Sequence, residues 1–166
     1  MTNPQSPENF GKSNSDPVLR ELDEKGIPYR VFTHPGKLDS LQQAALERDQ
    51  KPDQVVRSIL FRCSGDRFVM ALFAGPEQIS WPALRRTLHV SRISMASKEQ
   101  VLEQTGYTLG AVSPFGLPKP LRILVDENVF QPEEVSLGSG VRYRAIIMRS
   151  ADLRQALVNF EIANLK

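Results

Sequence analysis

Residues 55–73 read VVRSILFRCSGDRFVMALF. Two β-rich runs, Val55–Cys63 and Arg67–Phe73, flank Ser64-Gly65-Asp66. A short glycine-containing link between apolar, β-branched runs is a hairpin signal. Upstream, Asp16-Pro17 supplies a helix cap and a proline at the first helical position. That helix carries Leu19 and Leu22 and stops at Gly26. Tyr29–Thr33 reads as a short strand. Ser40 with Gln43 forms a capping-box pattern before a helix through Leu41, Ala44, Ala45 and Glu47. Downstream, Ser80 opens a helix over Trp81–Leu88, and Arg92–Met95 is a strand. Ser97 with Gln100 opens a helix ending at Gly106, and a loop over 106–120 leads to strand Leu121–Val125. A final hairpin is expected from Glu134–Leu137, a Gly138-Ser139-Gly140 turn and Val141–Met148. Ser150 then caps a terminal helix carrying Leu153, Ala156, Leu157 and Phe160. Hairpins interspersed with helices predict an α+β domain with a mixed, largely antiparallel sheet rather than a doubly wound parallel one.

At 166 residues the chain is long enough for one domain with a real core. Hydrophobic content of 40% and charged content of 24% exclude wholesale disorder. A single cysteine cannot form an internal disulfide. No run approaches the roughly 18 apolar residues of a membrane span. The opening MTNPQSPENFGKSNS is polar and lacks an apolar secretory core, so residues 1–15 are expected to be a disordered tail before a domain over 16–166. A soluble cytoplasmic protein without a membrane partner follows as the expectation. Net charge is only +2, yet residues 57–97 carry 6 arginines against Asp66 and Glu77. Residues 141–166 carry 5 basic groups against 2 acidic ones. These blocks permit a nucleic-acid surface, including nonspecific RNA binding, without demonstrating one.

The chemistry-bearing residues are few. His34, His89 and Cys63 lie far apart without ligand-type spacing, so no metal is expected. Cys63 ends an apolar strand, where a thiol is ordinarily buried and inert. There is no nucleophile elbow and no phosphate-binding glycine loop. Arg57 is in phase with Val55, Ile59, Phe61 and Cys63. A guanidinium on that face must snorkel out, pair with a carboxylate or face a polar cleft. The segment Gly106–Pro118, GYTLGAVSPFGLP, holds three glycines and two prolines. It reads either as a surface Ω-loop or as a rigid loop presenting bare N–H groups to an anion or carbonyl oxygen. Gly138-Ser139-Gly140 reads as a turn, Asp126 as a cap, and His34 as a loop residue.

Several of these segments resemble, in order from Asp16 to Phe160, the YbaK/prolyl-tRNA-synthetase-associated domain family. LQQAALERD matches its Ala-containing helix, and VVRSILF stands where the family has a V-x-K-[ST]-L type strand. TGYTLGAVSPFG resembles its TG-x-x-x-GG-x-SP-x-G loop. LRILVDENVF resembles the apolar strand ending in Asp, and LGSG resembles its C-terminal glycine turn. The resemblance implies hydrolysis of the ester between a wrong amino acid and the 3′ end of a tRNA, without metal or organic cofactor. It implies the aminoacylated tRNA end as partner, and a synthetase as a second one.

On the same resemblance, the Gly-x-x-x-Pro segment falls on Gly110, Ala111, Val112, Ser113 and Pro114. Arg57, Gly110 and Ser113 become the catalytic candidates. His34, Ala111, Val112, Pro114, Phe115, Asp126, Gly138, Ser139 and Gly140 become candidates for substrate binding. The family's strand lysine is Arg57 here, longer, planar and always protonated. That departure sets a second expectation, a member that binds aminoacyl ends, aminoacyl ligands or a synthetase without hydrolysis. Ala111 stands where the family often has glycine, which requires a negative φ at that position.

Overall fold

A computed structural model describes residues 16–166; the tail expected over 1–15 lies outside the described residues. The 55–73 hairpin forms as β2 (Val56–Cys63) and β3 (Arg67–Ala74), paired antiparallel from Val56↔Ala74 to Cys63↔Arg67. Asp66 and Gly65 both take positive φ in the link, as a tight turn requires. This hairpin is the centre of a five-stranded sheet. β4 (Ile93–Met95) joins β2 antiparallel, whereas β5 (Arg122–Asp126) joins β3 in parallel. A second sheet of three strands orders β1 (Arg30–Thr33), β7 (Arg144–Arg149) and β6 (Glu134–Gly138), all antiparallel. A single parallel bridge between Val55 and Ser136 joins the sheets at one seam.

The helices form where their caps predict. Asp16 accepts from Val18 and Leu19 N–H at the start of α1 (Pro17–Glu24). Ser40 accepts from Gln43 N–H before α2 (Leu41–Glu47), but the Gln43 amide reaches Asp39 N–H, one residue beyond the reciprocal box. Ser80 caps α3 (Trp81–Leu88), and Ser97 with Gln100 makes both halves of the box at α4 (Lys98–Thr105). Val18 and Leu22 of α1 pack with Leu60, Leu72, Val125, Leu137 and Ile146, so one core joins both sheets. The opposite face of β2 and β3 packs Phe61 and Phe73 against Leu84, Leu88 and Leu165.

The C-terminal region differs from the sequence reading in three ways. The link between β6 and β7 runs over 139–143, longer than the expected three-residue turn. Ser150 does not cap α5 (Ser150–Ala156); its hydroxyl donates to the Glu133 carbonyl and Arg149 occupies the cap position. The helix ends before Phe160, which begins β8 (Phe160–Ala163), a parallel edge strand on β5. The 3.6-residue spacing from Leu153 to Phe160 is overridden by strand pairing, with Arg122 and Glu161 bridging β5 and β8 at 2.8 Å.

Candidate active site

At the seam between the sheets lies a cavity of about 200 Å³. Val55 and the start of β2, with Val56, Arg57 and Ser58, contribute to its wall; the 106–120 loop supplies Gly110 and Val112. Leu137 and Gly138 come from the end of β6, Tyr143 from the end of the 139–143 link, Arg144 from the start of β7, and Leu38 and Arg48 flank α2. Among the described residues the lining holds three arginines and no carboxylate or imidazole. Among the described residues no three His, Cys, Asp or Glu side chains converge as a metal cage.

The loop is rigid because its own groups hold it. Thr105 Oγ1 donates to the Val101 carbonyl and accepts from Tyr107 N–H. Tyr107 Oη donates to the Phe115 carbonyl at 2.6 Å, and burial pushes that phenol up to about 12. Gly110 takes φ +86°, a left-handed turn that a β-branched residue could not make. Ala111 is outside the positive-φ set, so its methyl group is tolerated. Ala111 N–H is engaged by the Thr108 carbonyl, while the Gly110 and Val112 N–H groups meet no backbone acceptor among the described residues.

The glycine turn packs directly onto this loop. Gly140 N–H donates to the Ala111 carbonyl at 2.9 Å. A Cβ on Gly138 would stand 2.0 Å from the Val112 carbonyl oxygen, so only glycine permits the approach. These two contacts fix one side of the cavity mouth.

Four of the sequence candidates therefore meet on one wall: Arg57, Gly110, Val112 and Gly138. The remaining candidates sit elsewhere. Ser113 is fully buried away from the cavity, its hydroxyl accepting from Phe115 N–H at 3.3 Å. Pro114 and Phe115 line a different cleft of about 370 Å³ beside α1 and 117–121. Asp126 is fully buried and accepts from Asn128 N–H and Leu165 N–H, as a structural cap. Ser139 is buried and bonded to Arg144. His34 lies behind the cavity, with its backbone N–H on the Tyr143 carbonyl.

Arg57 takes a course the strand phase left open. Its guanidinium lies 5.3 Å from the Phe73 ring centroid and donates to the Glu77 carbonyl. Burial holds its pKa below the ordinary arginine value. Its Nε, and the hydroxyl of Ser58 one residue on and on the other face, are both buried and make no hydrogen bond among the described residues. A buried polar atom without a partner is rare and calls for an explanation. Neither Ser58 nor Arg48 stands out in the sequence, since their surroundings come from segments far away in the chain.

The model for the aminoacyl-tRNA editing domain matches residues 34–156, most of the chain and every element of this cavity. The chain belongs to the aminoacyl-tRNA editing domain family. Among its relatives, the multifunctional Ser/Thr-tRNA deacylase ProXp-y of Escherichia coli strain K12 is 29% identical over 153 residues, covering 86% of this chain and 90% of the relative. A proline–tRNA ligase of Kosmotoga olearia is 29% identical over 139 residues, covering 82% of this chain but only 23% of the ligase. The editing fold is also seen in a crystal structure of a candidate trans-editing enzyme for prolyl-tRNA synthetase. That structure superposes with TM-score 0.80 at 24% identity, over 92% of this chain and 99% of the other.

Proposed function

We propose that this editing domain is an aminoacyl-tRNA deacylase acting in trans, and that the seam cavity holds the aminoacyl group. Family membership and the deacylase relative support the reaction class; the cavity supports the place. Its 200 Å³ falls below the ~300–1,000 Å³ of sites that enclose drug-sized ligands, which suits one small acyl group.

In the reaction, water adds to the acyl carbon and the carbon–oxygen bond to the ribose breaks. The ribose oxygen takes the proton and the free amino acid leaves. Negative charge develops on the carbonyl oxygen along the way. Gly110 and Val112 N–H groups, held by the Tyr107-braced loop, point the site toward stabilising that charge. Among the described residues the lining side chains that carry charge are arginines, so the wall contributes charge stabilisation. Arg57 supports the wall through Phe73, and Ser113 holds the loop.

The single observation that carries the substrate class is that two adjacent lining residues each hold a buried polar atom without a partner, Arg57 its Nε and Ser58 its hydroxyl. It matches a hydroxyl-bearing acyl group, serine or threonine, in keeping with what the ProXp-y relative is named for. A site built to hydrogen-bond a hydroxyl rejects analogues lacking it far more strongly than a methylene difference permits. The aminoacylated tRNA end is the partner, met in the cytoplasm, and a prolyl-tRNA synthetase is the second partner this reading favours.

The test is amide NMR with a seryl-tRNA end analogue whose ester is replaced by a non-hydrolysable amide. Binding shifts the Gly110, Val112 and Gly138 signals and is weakened in Ser58→Ala. Shifts confined to the cleft beside Pro114 and Phe115 would remove the reaction from the seam.

A further inference from the structure

Beside the cavity lies a chain of partly buried polar contacts that the loop chemistry does not use. His34 is 5% exposed, and its Nδ1 lies 2.9 Å from Glu47 Oε1. Arg48 Nε donates to His34 Nε2 at 2.9 Å. An arginine N–H is only a donor, so His34 Nε2 holds a lone pair and the proton sits on Nδ1, donated to Glu47. Arg48 Nη1 donates to Ser136 Oγ at 2.9 Å, and Ser136 Oγ donates in turn to Gln50 Oε1 at 2.6 Å.

Arg48 is thus aimed by two neutral acceptors, one imidazole nitrogen and one hydroxyl, while lining the cavity. The cavity's other two arginines are engaged differently: Arg144 pairs with Asp16, and Arg57 is directed to Glu77 and Phe73. Among the described residues no carboxylate touches the Arg48 guanidinium; burial lowers its pKa to about 10 and outweighs the more distant Glu47 charge, which raises it. A desolvated cation whose direct hydrogen-bond partners are neutral keeps most of its field for a nearby negative charge, with Glu47 acting on it only from beyond His34. An aminoacyl ester brings a cationic α-ammonium, which such a group repels, and one atom that becomes anionic, the carbonyl oxygen.

We infer that Arg48 is a catalytic residue that stabilises the developing carbonyl oxyanion, with His34 as the positioning residue that aims it. The inference rests on the proposed deacylase reading and assigns it a charge no sequence motif marks. His34, placed by the family resemblance among substrate-binding candidates, then acts through Arg48 rather than on substrate.

The experiment measures deacylation of Ser-charged tRNA by the full chain and its variants, with thermal midpoints recorded in parallel. Arg48→Ala is expected to lower kcat about 100-fold with KM nearly unchanged, as for loss of one oxyanion donor. Added ethylguanidinium should restore part of that loss. If Arg48→Ala does not fold, Arg48→Lys serves, because lysine cannot serve His34, Ser136 and the oxyanion from one planar fork; at least a tenfold loss in kcat is expected. His34→Gln, whose amide oxygen still accepts from Arg48, should retain more turnover than His34→Leu at matched thermal midpoints. Full turnover in folded Arg48→Ala or Arg48→Lys, or a loss carried only by KM, overturns the inference while leaving the deacylase reading intact. No turnover by the unaltered protein on any mischarged tRNA overturns both.

Discussion

Gly138 lines the seam cavity, whereas Asp126 is buried away from its lining. Gly138→Ala would drive a methyl group into the Val112 carbonyl, and backbone has no far end to move aside. The expected cost is several kcal/mol, on the order of the larger core lesions, read as a lowered denaturant midpoint together with loss of turnover. Asp126→Ala should act on stability alone. It strands the Leu165 and Asn128 N–H groups it now accepts, at about 1–3 kcal/mol each, and the KM for charged tRNA should not change. A raised KM would restore Asp126 to the substrate side. The glycine turn and the glycine-proline loop were legible as motifs because backbone demands choose residue type locally. Arg48 and Ser58 were not: Arg48 meets Ser136 across 88 positions, and Ser58 is distinguished by what it does not touch.

The elements followed their signals wherever the signal was local. Caps at Asp16, Ser40, Ser80 and Ser97 set four helix starts, and the 55–73 runs set the central hairpin. The end of the chain did not, because β8 exists only through its pairing with β5, and no periodicity encodes a parallel partner. Leu165 behind it is fully buried in the Phe61–Phe73 core. Leu165→Ala should therefore cost about 2–5 kcal/mol in urea unfolding, although it sits one residue from the terminus; a negligible shift would show that β8 is not held there. The α2 element carries a pH signature. The His34 hydrogen bond first, and that of Gln43 next, hold the Glu47 carboxylate below its usual range against its desolvation. A lowered folded pKa stabilises above the ordinary carboxylate value and is lost as pH falls through the folded one. Stability of the unaltered protein should thus drop below about pH 4 more than that of Glu47→Gln, measured by unfolding at each pH.

For the whole molecule, near-neutral charge conceals an uneven distribution. The cavity joins three arginines from distant segments, and the 141–166 block adds Arg142 beside the exposed Tyr143 at the cavity rim. Backbone phosphates near that rim should make KM for charged tRNA rise steeply with salt while kcat stays level; a salt-independent KM would place tRNA elsewhere. Among the described residues no helix is long and apolar enough to cross a membrane. The α+β architecture was legible as a whole, and family membership followed from motif order; the seam that makes a cavity was not, since it depends on how two sheets meet at Val55 and Ser136. The central claim is that this cavity accelerates ester hydrolysis. Initial rates of amino-acid release from Ser- and Thr-charged tRNA, with and without the unaltered protein, test it most directly. Release well above the spontaneous rate is the predicted result, and release no faster than in buffer across a panel of mischarged tRNAs would contradict it.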